Sequence, residues 1–498
     1  MKKIKELIKK VRENSYQRVL IELILGTLLF NVNSTVGILV IMIFLAEIVV
    51  AKPDNMLFIY LFLSFFDEVL QLDCLGGSIS RIIMVVIGIR LSINVLKNKI
   101  KPDRHEIGVG LFFLVSFIVG IITYKNINTE VLIILFNIFI FILFSMNIKL
   151  KTTEEVENFI EKLLFTIVIA VLNSVIYGLI GNSFMKELDG ENIVYRFKGT
   201  YEPNFMSMFI NLGIVSILSL KNKKADKKIP YLLCSILIIA NILTVSMTGL
   251  AAMCIVLFSY IIINRKNFKE EIKDIVIIAV ITISLFSIIQ VSQNLLKGYQ
   301  QTLTEKNQIN VISKGNTVAE QDETQKQEIT IKNDTFVIQE QGNMKDFNKE
   351  DKKNTESNNL TKRLEFLKEI LIKGDLGRFT SGRIPLMVTF MNASFNRPIG
   401  NILFGNDAAT KKVFSDYFYT DKYSHNSYMD VLYNFGIIGF VIVITYIFKK
   451  VHNNIYLKNS LVDNKYKGTI KLIRIMLLIY AFALSLYTKR MFLIFFLL

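Results

Sequence analysis

Residues 424–448, S-H-N-S-Y-M-D-V-L-Y-N-F-G-I-I-G-F-V-I-V-I-T-Y-I-F, decide how the chain is to be read. From Ser427 onward they offer about 20 mostly apolar residues, the length an α-helix needs to cross the hydrocarbon core of a bilayer. The polar head of the stretch is written as a helix start. Asn426 and Ser427 can cap free backbone N–H groups, and Asp430 stands in the first turn, where the helix dipole favours a carboxylate. Gly436 and Gly439 suit close helix contact in the same half of the span. His425 stands at its mouth.

Composition agrees with that reading. Of 498 residues, 52% are hydrophobic, with 38 Phe and only 6 Pro, and mean hydropathy is +0.43. This is too apolar for one soluble core and implies an all-α polytopic membrane protein. The net charge of +16 would suggest a nucleic-acid surface in a soluble protein. Here the excess basic residues sit in short loops between apolar runs, so they report topology, and no nucleic-acid partner is expected. Cys74, Cys234 and Cys254 lack metal-ligand spacing, and no metal or cofactor is expected. The basic start at 1–18 feeds a hydrophobic segment without a small-residue cleavage site, which reads as an uncleaved anchor.

Further apolar runs occur at 17–33, 35–51, 55–71, 78–96, 106–123, 129–148, 161–181, 204–220, 229–246, 248–264, 273–292 and 468–487. With 427–448 they predict thirteen spans, within a range of 12–14. Basic residues should gather on the cytoplasmic side of short loops. Placing the N-terminus in the cytoplasm puts the basic segments 97–104, 149–162, 221–228, 265–273 and 449–471 there as well. Three parts follow: 1–292 with eleven spans and an external loop at 182–203, a large external loop at 293–426, and C-terminal spans in 427–498. Within the large loop, 300–359 is too polar to bury a core and is expected to be disordered. From 360 to 426 short helices are expected, beginning with the amphipathic spacing of Leu360, Leu364, Leu367 and Leu371.

Charges inside spans need a partner or a water-filled cavity. Asp67 and Glu68 lie at matching depth to Arg81 and predict an ion network that either fixes two neighbouring helices or contacts substrate. Arg90 is close enough to a span end to snorkel, and Glu22 and Glu47 are expected to reach the interface.

Outside, residues 195–204 read Y-R-F-K-G-T-Y-E-P-N, with Pro203 suited to the first turn of a helix and Arg196 and Lys198 held above it. Interleaved aromatic and basic residues also serve simple interfacial anchoring. Residues 378–383 read R-F-T-S-G-R. Thr380 or Ser381 can cap a helix over 384–396, whose free N–H groups, with Arg383 beside them, would attract an anion. Guanidinium matches phosphate geometry better than ammonium does, although position alone favours an arginine paired with lipid headgroups or a loop carboxylate. Arg378 is a possible substitute for Arg383. His105 and His452 fall in basic cytoplasmic loops. His425, by contrast, is placed to accept a proton from an attacking hydroxyl, with Asp430 one turn on in an orienting or structural role.

Together these separated motifs resemble the O-antigen ligase and O-antigen polymerase superfamily of multispanning glycosyltransferases. The pieces that carry the resemblance are Arg196, Gly199 and Asn204, then Ser381, Gly382 and Arg383, then Leu403, Phe404 and Gly405. The His425–Asn426 pair ahead of Gly436 and Gly439 completes them. The resemblance runs over about 195–448. The chain departs from the pattern at Met387, where an aromatic residue is common, and at Asn406–Asp407, where a second glycine is common.

The resemblance implies transfer of a polyprenyl-diphosphate-linked oligosaccharide to a sugar hydroxyl on the outer face of a bacterial cytoplasmic membrane. Arg196 and Arg383, with Arg378 and Lys198, would hold the diphosphate. His425 would be the base, and Asn426, Asp430, Asn204, Ser381 and Gly382 would support it. Donor, acceptor and bilayer are the expected partners, with a flippase and a chain-length regulator beside them. A Lys-, Ile- and Asn-rich composition favours a repeat-unit polymerase for capsule or exopolysaccharide over a ligase. A flippase for the same lipids, and a scaffold or sensor that binds polysaccharide, are the rival readings.

Overall fold

The computed structural model describes residues 15–66, 71–72, 77–102, 104–124, 129–148, 150, 152–180, 184–189, 192–197, 202–221, 227–288, 383–405, 426–452 and 463–484. The chain divides into one unit of Met1–Thr282 with Arg363–Leu498 and a second of Ile283–Lys362. Of the second, only 283–288 is described, and it is helical. The polar segment 300–359 and the amphipathic helix expected from Leu360 lie outside the described residues.

The described chain is mostly helical, and a helix coincides with each of the thirteen apolar runs. These are α1 (Ser15–Val32), α2 (Ser34–Val50), α3 (Pro53–Leu63), α4 (Ile79–Lys97), α5 (Arg104–Tyr124), α6 (Thr129–Asn147) and α7 (Thr153–Ile180). Then come α8 (Pro203–Leu220), α9 (Lys228–Leu243), α10 (Met247–Ile263) and α11 (268–288). Two shorter helices, α12 (Arg383–Phe395) and α13 (Ile399–Phe404), precede α14 (Ser427–His452) and α15 (Asn464–Ala483).

Local chemistry sets several of the starts. Asn33 separates α1 from α2 by accepting from the N–H groups of Thr35 and Val36, and Pro53 and Pro203 open their helices where a missing N–H costs nothing. Within the described residues, 153–176, 203–220 and 427–446 are long and apolar enough to cross a membrane. Several others fall short through length, such as α3 and α10, or through charge, such as α15 with Lys465, Lys467, Lys471 and Arg474.

Among the described residues two short hairpins accompany the helices. The third span stops at Leu63 and a short 3₁₀ turn, after which β1 (Gln71–Leu72) pairs antiparallel with β2 (Gly77–Ser78). The loop at 182–203 contains a second antiparallel hairpin, β3 (Phe184–Asp189) with β4 (Asn192–Phe197). Strand formers Ile193, Val194, Tyr195 and Phe197 follow Gly190-Glu191, a two-residue link with glycine first, and that pattern favours a hairpin. Glu22 and Glu47 both face Arg18, which donates to Glu47 and lies 3.6 Å from Glu22, and all three side chains are partly exposed. The Asp67 and Glu68 positions and the side chain of Arg81 lie outside the described residues.

Helix α8 is the hub. It is buried on every side, from Met206 through Ser219, and packs against α7, α9, α10 and α15. A helix apolar all round belongs at the centre of a bundle. Outward faces of peripheral helices stay apolar as well: Leu111, Leu114, Ile118 and Ile122 on α5, and Phe258 and Ile262 on α10, are all exposed.

Candidate functional site

The start of α14 is a fixed point. Asn426 is buried, and its Oδ1 accepts from the backbone N–H groups of Tyr428 at 2.9 Å and Met429 at 3.1 Å, the cap expected from the sequence. The Ser427 hydroxyl donates to the carbonyl of Leu484 at 2.6 Å, just beyond α15. Asp430 is buried in the first turn. His425 lies outside the described residues.

Helix α12 begins at Arg383 and lies along this start. Met387, one turn from Arg383, receives a contact from Asn426 Nδ2 at 3.4 Å, and Phe390 meets Tyr433 edge-on at 5.6 Å between ring centres. The structure thus brings the Arg383-bearing helix against the residue that follows His425. Arg378, Ser381 and Gly382, and the side chain of Arg383, lie outside the described residues.

The short L-F-G element joins them. Gly405 ends α13 with φ of 84°, and α14 bends at Gly436 with φ of 66°, so both glycines occupy a backbone region that side chains disfavour. The two backbones cross. A Cβ at Gly405 would stand 2.1 Å from the carbonyl oxygen of Asn434, and one at Gly436 would stand 2.4 Å from that of Leu403. The expectation of helix contact holds for Gly439, where a Cβ would meet the Phe112 ring of α5 at 2.7 Å. Gly436 makes close contact too, against the end of α13, and also bends α14.

A residue that sequence reasoning missed secures the bend. Arg397 donates to the carbonyls of Ser394 at 2.7 Å, Tyr433 at 2.9 Å and Leu432 at 3.4 Å, and its guanidinium lies 5.0 Å from the Tyr433 ring centre. In an unbroken helix the Leu432 and Tyr433 carbonyls would be served by the N–H groups of Gly436 and Ile437. Arg397 supplies donors where the bend intervenes. Its sequence signal was an arginine directly before Pro398 and the L-F-G element.

The Arg196 arm leads into α8. Arg196 sits in β4 opposite Met185, with its side chain and the whole of Lys198 outside the described residues, and Phe197 is buried. Glu202 then caps α8 by accepting from the N–H groups of Asn204 and Phe205. Asn204 accepts from the Ser246 hydroxyl at 2.8 Å, and Ser246 in turn caps α10 by accepting from Gly249 N–H. Below Asn204, Ser207 donates to Asn241 Oδ1 at 2.6 Å, and Asn211 Nδ2 donates to the Gly249 carbonyl at 2.9 Å. Gly249 is needed there, because a Cβ would fall 1.7 Å from the Ser207 hydroxyl. Sequence reasoning misses this polar layer, because its members are uncharged; Ser207 and Asn211 at helical spacing are its signal.

Tyr480 of α15 bonds to both Ser207 and Asn211, and Leu484, one turn later, accepts from Ser427. The starts of α8 and α14 therefore lie at one end of the bundle. The opposite end is charged. Lys221, fully buried at the end of α8, contacts Glu271 and lies 2.6 Å from Asp274, which also accepts from Tyr231 at 2.6 Å. The chain matches no family model, and neither a curated protein nor a solved structure matches it.

Proposed function

We propose that the chain is a polytopic membrane glycosyltransferase that polymerises polyprenyl-diphosphate-linked oligosaccharide repeat units on the outer face of a bacterial cytoplasmic membrane. The observation that carries this reading is that the start of α8, which the Arg196 hairpin leads into, and the start of α14 with α12 against it lie at one end of the bundle, linked through Tyr480 and Leu484 of α15. Apolar outward faces on α5 and α10 support the membrane setting, since contiguous exposed apolar surface needs a lipid or protein partner.

In this reading the acceptor hydroxyl attacks the anomeric carbon of the donor sugar and gives its proton to His425. The anomeric C–O bond to the diphosphate breaks, and its electron pair leaves with the phosphate oxygen. Arg196 and Arg383 hold the growing negative charge, with Lys198 and Arg378 at the margin. One base with a single displacement inverts the anomeric centre. Asn426 fixes the backbone beside His425, and the Gly405–Gly436 crossing holds the end of α13 to the same helix.

Deletion of the chain from its host tests this against transport. The proposal expects single lipid-linked repeat units to accumulate on the outer leaflet, with no polymer. Accumulation on the inner leaflet would support a flippase instead.

A further inference from the structure

Helix α15 touches both arms of the proposed site through directional bonds. On one side the Tyr480 hydroxyl accepts from Asn211 Nδ2 at 2.7 Å and pairs with the Ser207 hydroxyl at 3.0 Å, and Tyr480 is fully buried. Ser207 and Asn211 lie one and two turns beyond Asn204, on the helix that the Arg196 hairpin leads into. On the other side Ser427, two residues after His425, donates to Leu484, and the Tyr428 hydroxyl donates to Leu478 at 3.3 Å.

Apolar packing alone fixes register weakly, because the hydrophobic effect has no direction. A buried hydrogen-bond network does fix it, since sliding by a fraction of a turn leaves polar groups unpaired. The same short segment, 478–484, thus meets polar groups from the start of α8 on one flank and from the start of α14 on the other.

We propose that α15 is a strut that sets the Arg196 arm against the His425 arm, with Tyr480 as its positioning residue. The strut itself needs only the observed bonds; its effect on turnover rests on the transferase reading. Tyr480 touches no substrate. It acts by holding the diphosphate-binding arm at a fixed distance from the base, and misplacement of reacting groups by about 1 Å can cost about 100-fold in rate.

The test uses the full chain purified into lipid nanodiscs, as wild type, Tyr480→Phe and Ser427→Ala. Spin labels on cysteines replacing Glu187 in β3 and Val388 on α12, which lies along the start of α14, with Cys74, Cys234 and Cys254 changed to alanine, report the distance between the arms. Transfer rates are measured on the unlabelled proteins. Either substitution is expected to broaden the distance distribution and to lower kcat about tenfold or more, with KM for the lipid-linked donor within about twofold. Unchanged distances, or broadened distances with unchanged kcat, overturn the strut. A wild type that transfers nothing but broadens on Tyr480→Phe rejects the transferase reading and keeps the strut. Should Tyr480→Phe fail to fold, Ser427→Ala decides alone from the opposite flank.

Discussion

Gly405 and Gly436 cross backbone to backbone, each in a positive-φ conformation and each with room for hydrogen alone. A side chain at either position pays twice, in local strain of about 1–3 kcal/mol and in a clash with a carbonyl that cannot swing away. Gly405→Ala and Gly436→Ala are each expected to lose about 3 kcal/mol or more by denaturation in detergent. Because both changes part the same contact, the double variant is expected to lose less than the sum. Additive losses would mean that the two glycines act independently.

Arg397 meets three carbonyls and the Tyr433 ring with one planar fork. Lysine cannot reproduce that geometry. Arg397→Lys is therefore expected to lose about 1–3 kcal/mol, close to the loss in Arg397→Ala, since charge without the fork leaves the carbonyls unserved. Thermal melting of both variants checks it, and full stability in the lysine variant would refute the role.

Lys221 is buried between Glu271 and Asp274. Removing one partner of such a group strands the others, at about 3–5 kcal/mol, whereas removing all the charges together can be nearly neutral. Lys221→Met is expected to be strongly destabilising, and adding Glu271→Gln with Asp274→Asn should recover most of the loss. A harmless Lys221→Met would contradict the burial.

Asn426 caps α14 through its side-chain oxygen. Asn426→Ala is expected to cost about 0.5–2 kcal/mol, while Asn426→Asp keeps the acceptor and most of the stability. Measured side by side, equal losses would show that the cap contributes nothing.

Much of this arrangement was legible in the sequence. Apolar runs located the helices, Pro203 marked the start of α8, and Asn426 was read as a cap because a side-chain acceptor before an apolar run has few other uses. The hairpin at 184–197 was not foreseen, for hydropathy smoothed over an alternation of strand formers. Close contact at Gly436 follows from glycine in an apolar helix, whereas its bend depends on Gly405 and Arg397, which are distant in sequence. Lys221 was assigned to a solvated basic loop, since nothing local shows that Glu271 and Asp274 fold back to it. The Tyr480 layer escaped for the same reason, as its members come from three helices.

The proposed role of His425 is that of base for glycosyl transfer. It is tested most directly by incubating purified wild type and His425→Ala with a lipid-linked repeat unit and following polymer and released polyprenyl diphosphate. Wild type is expected to form both, and His425→Ala, with the same melting behaviour and donor affinity, to form them at least about 100-fold more slowly. Polymer formed at the wild-type rate by His425→Ala would contradict it.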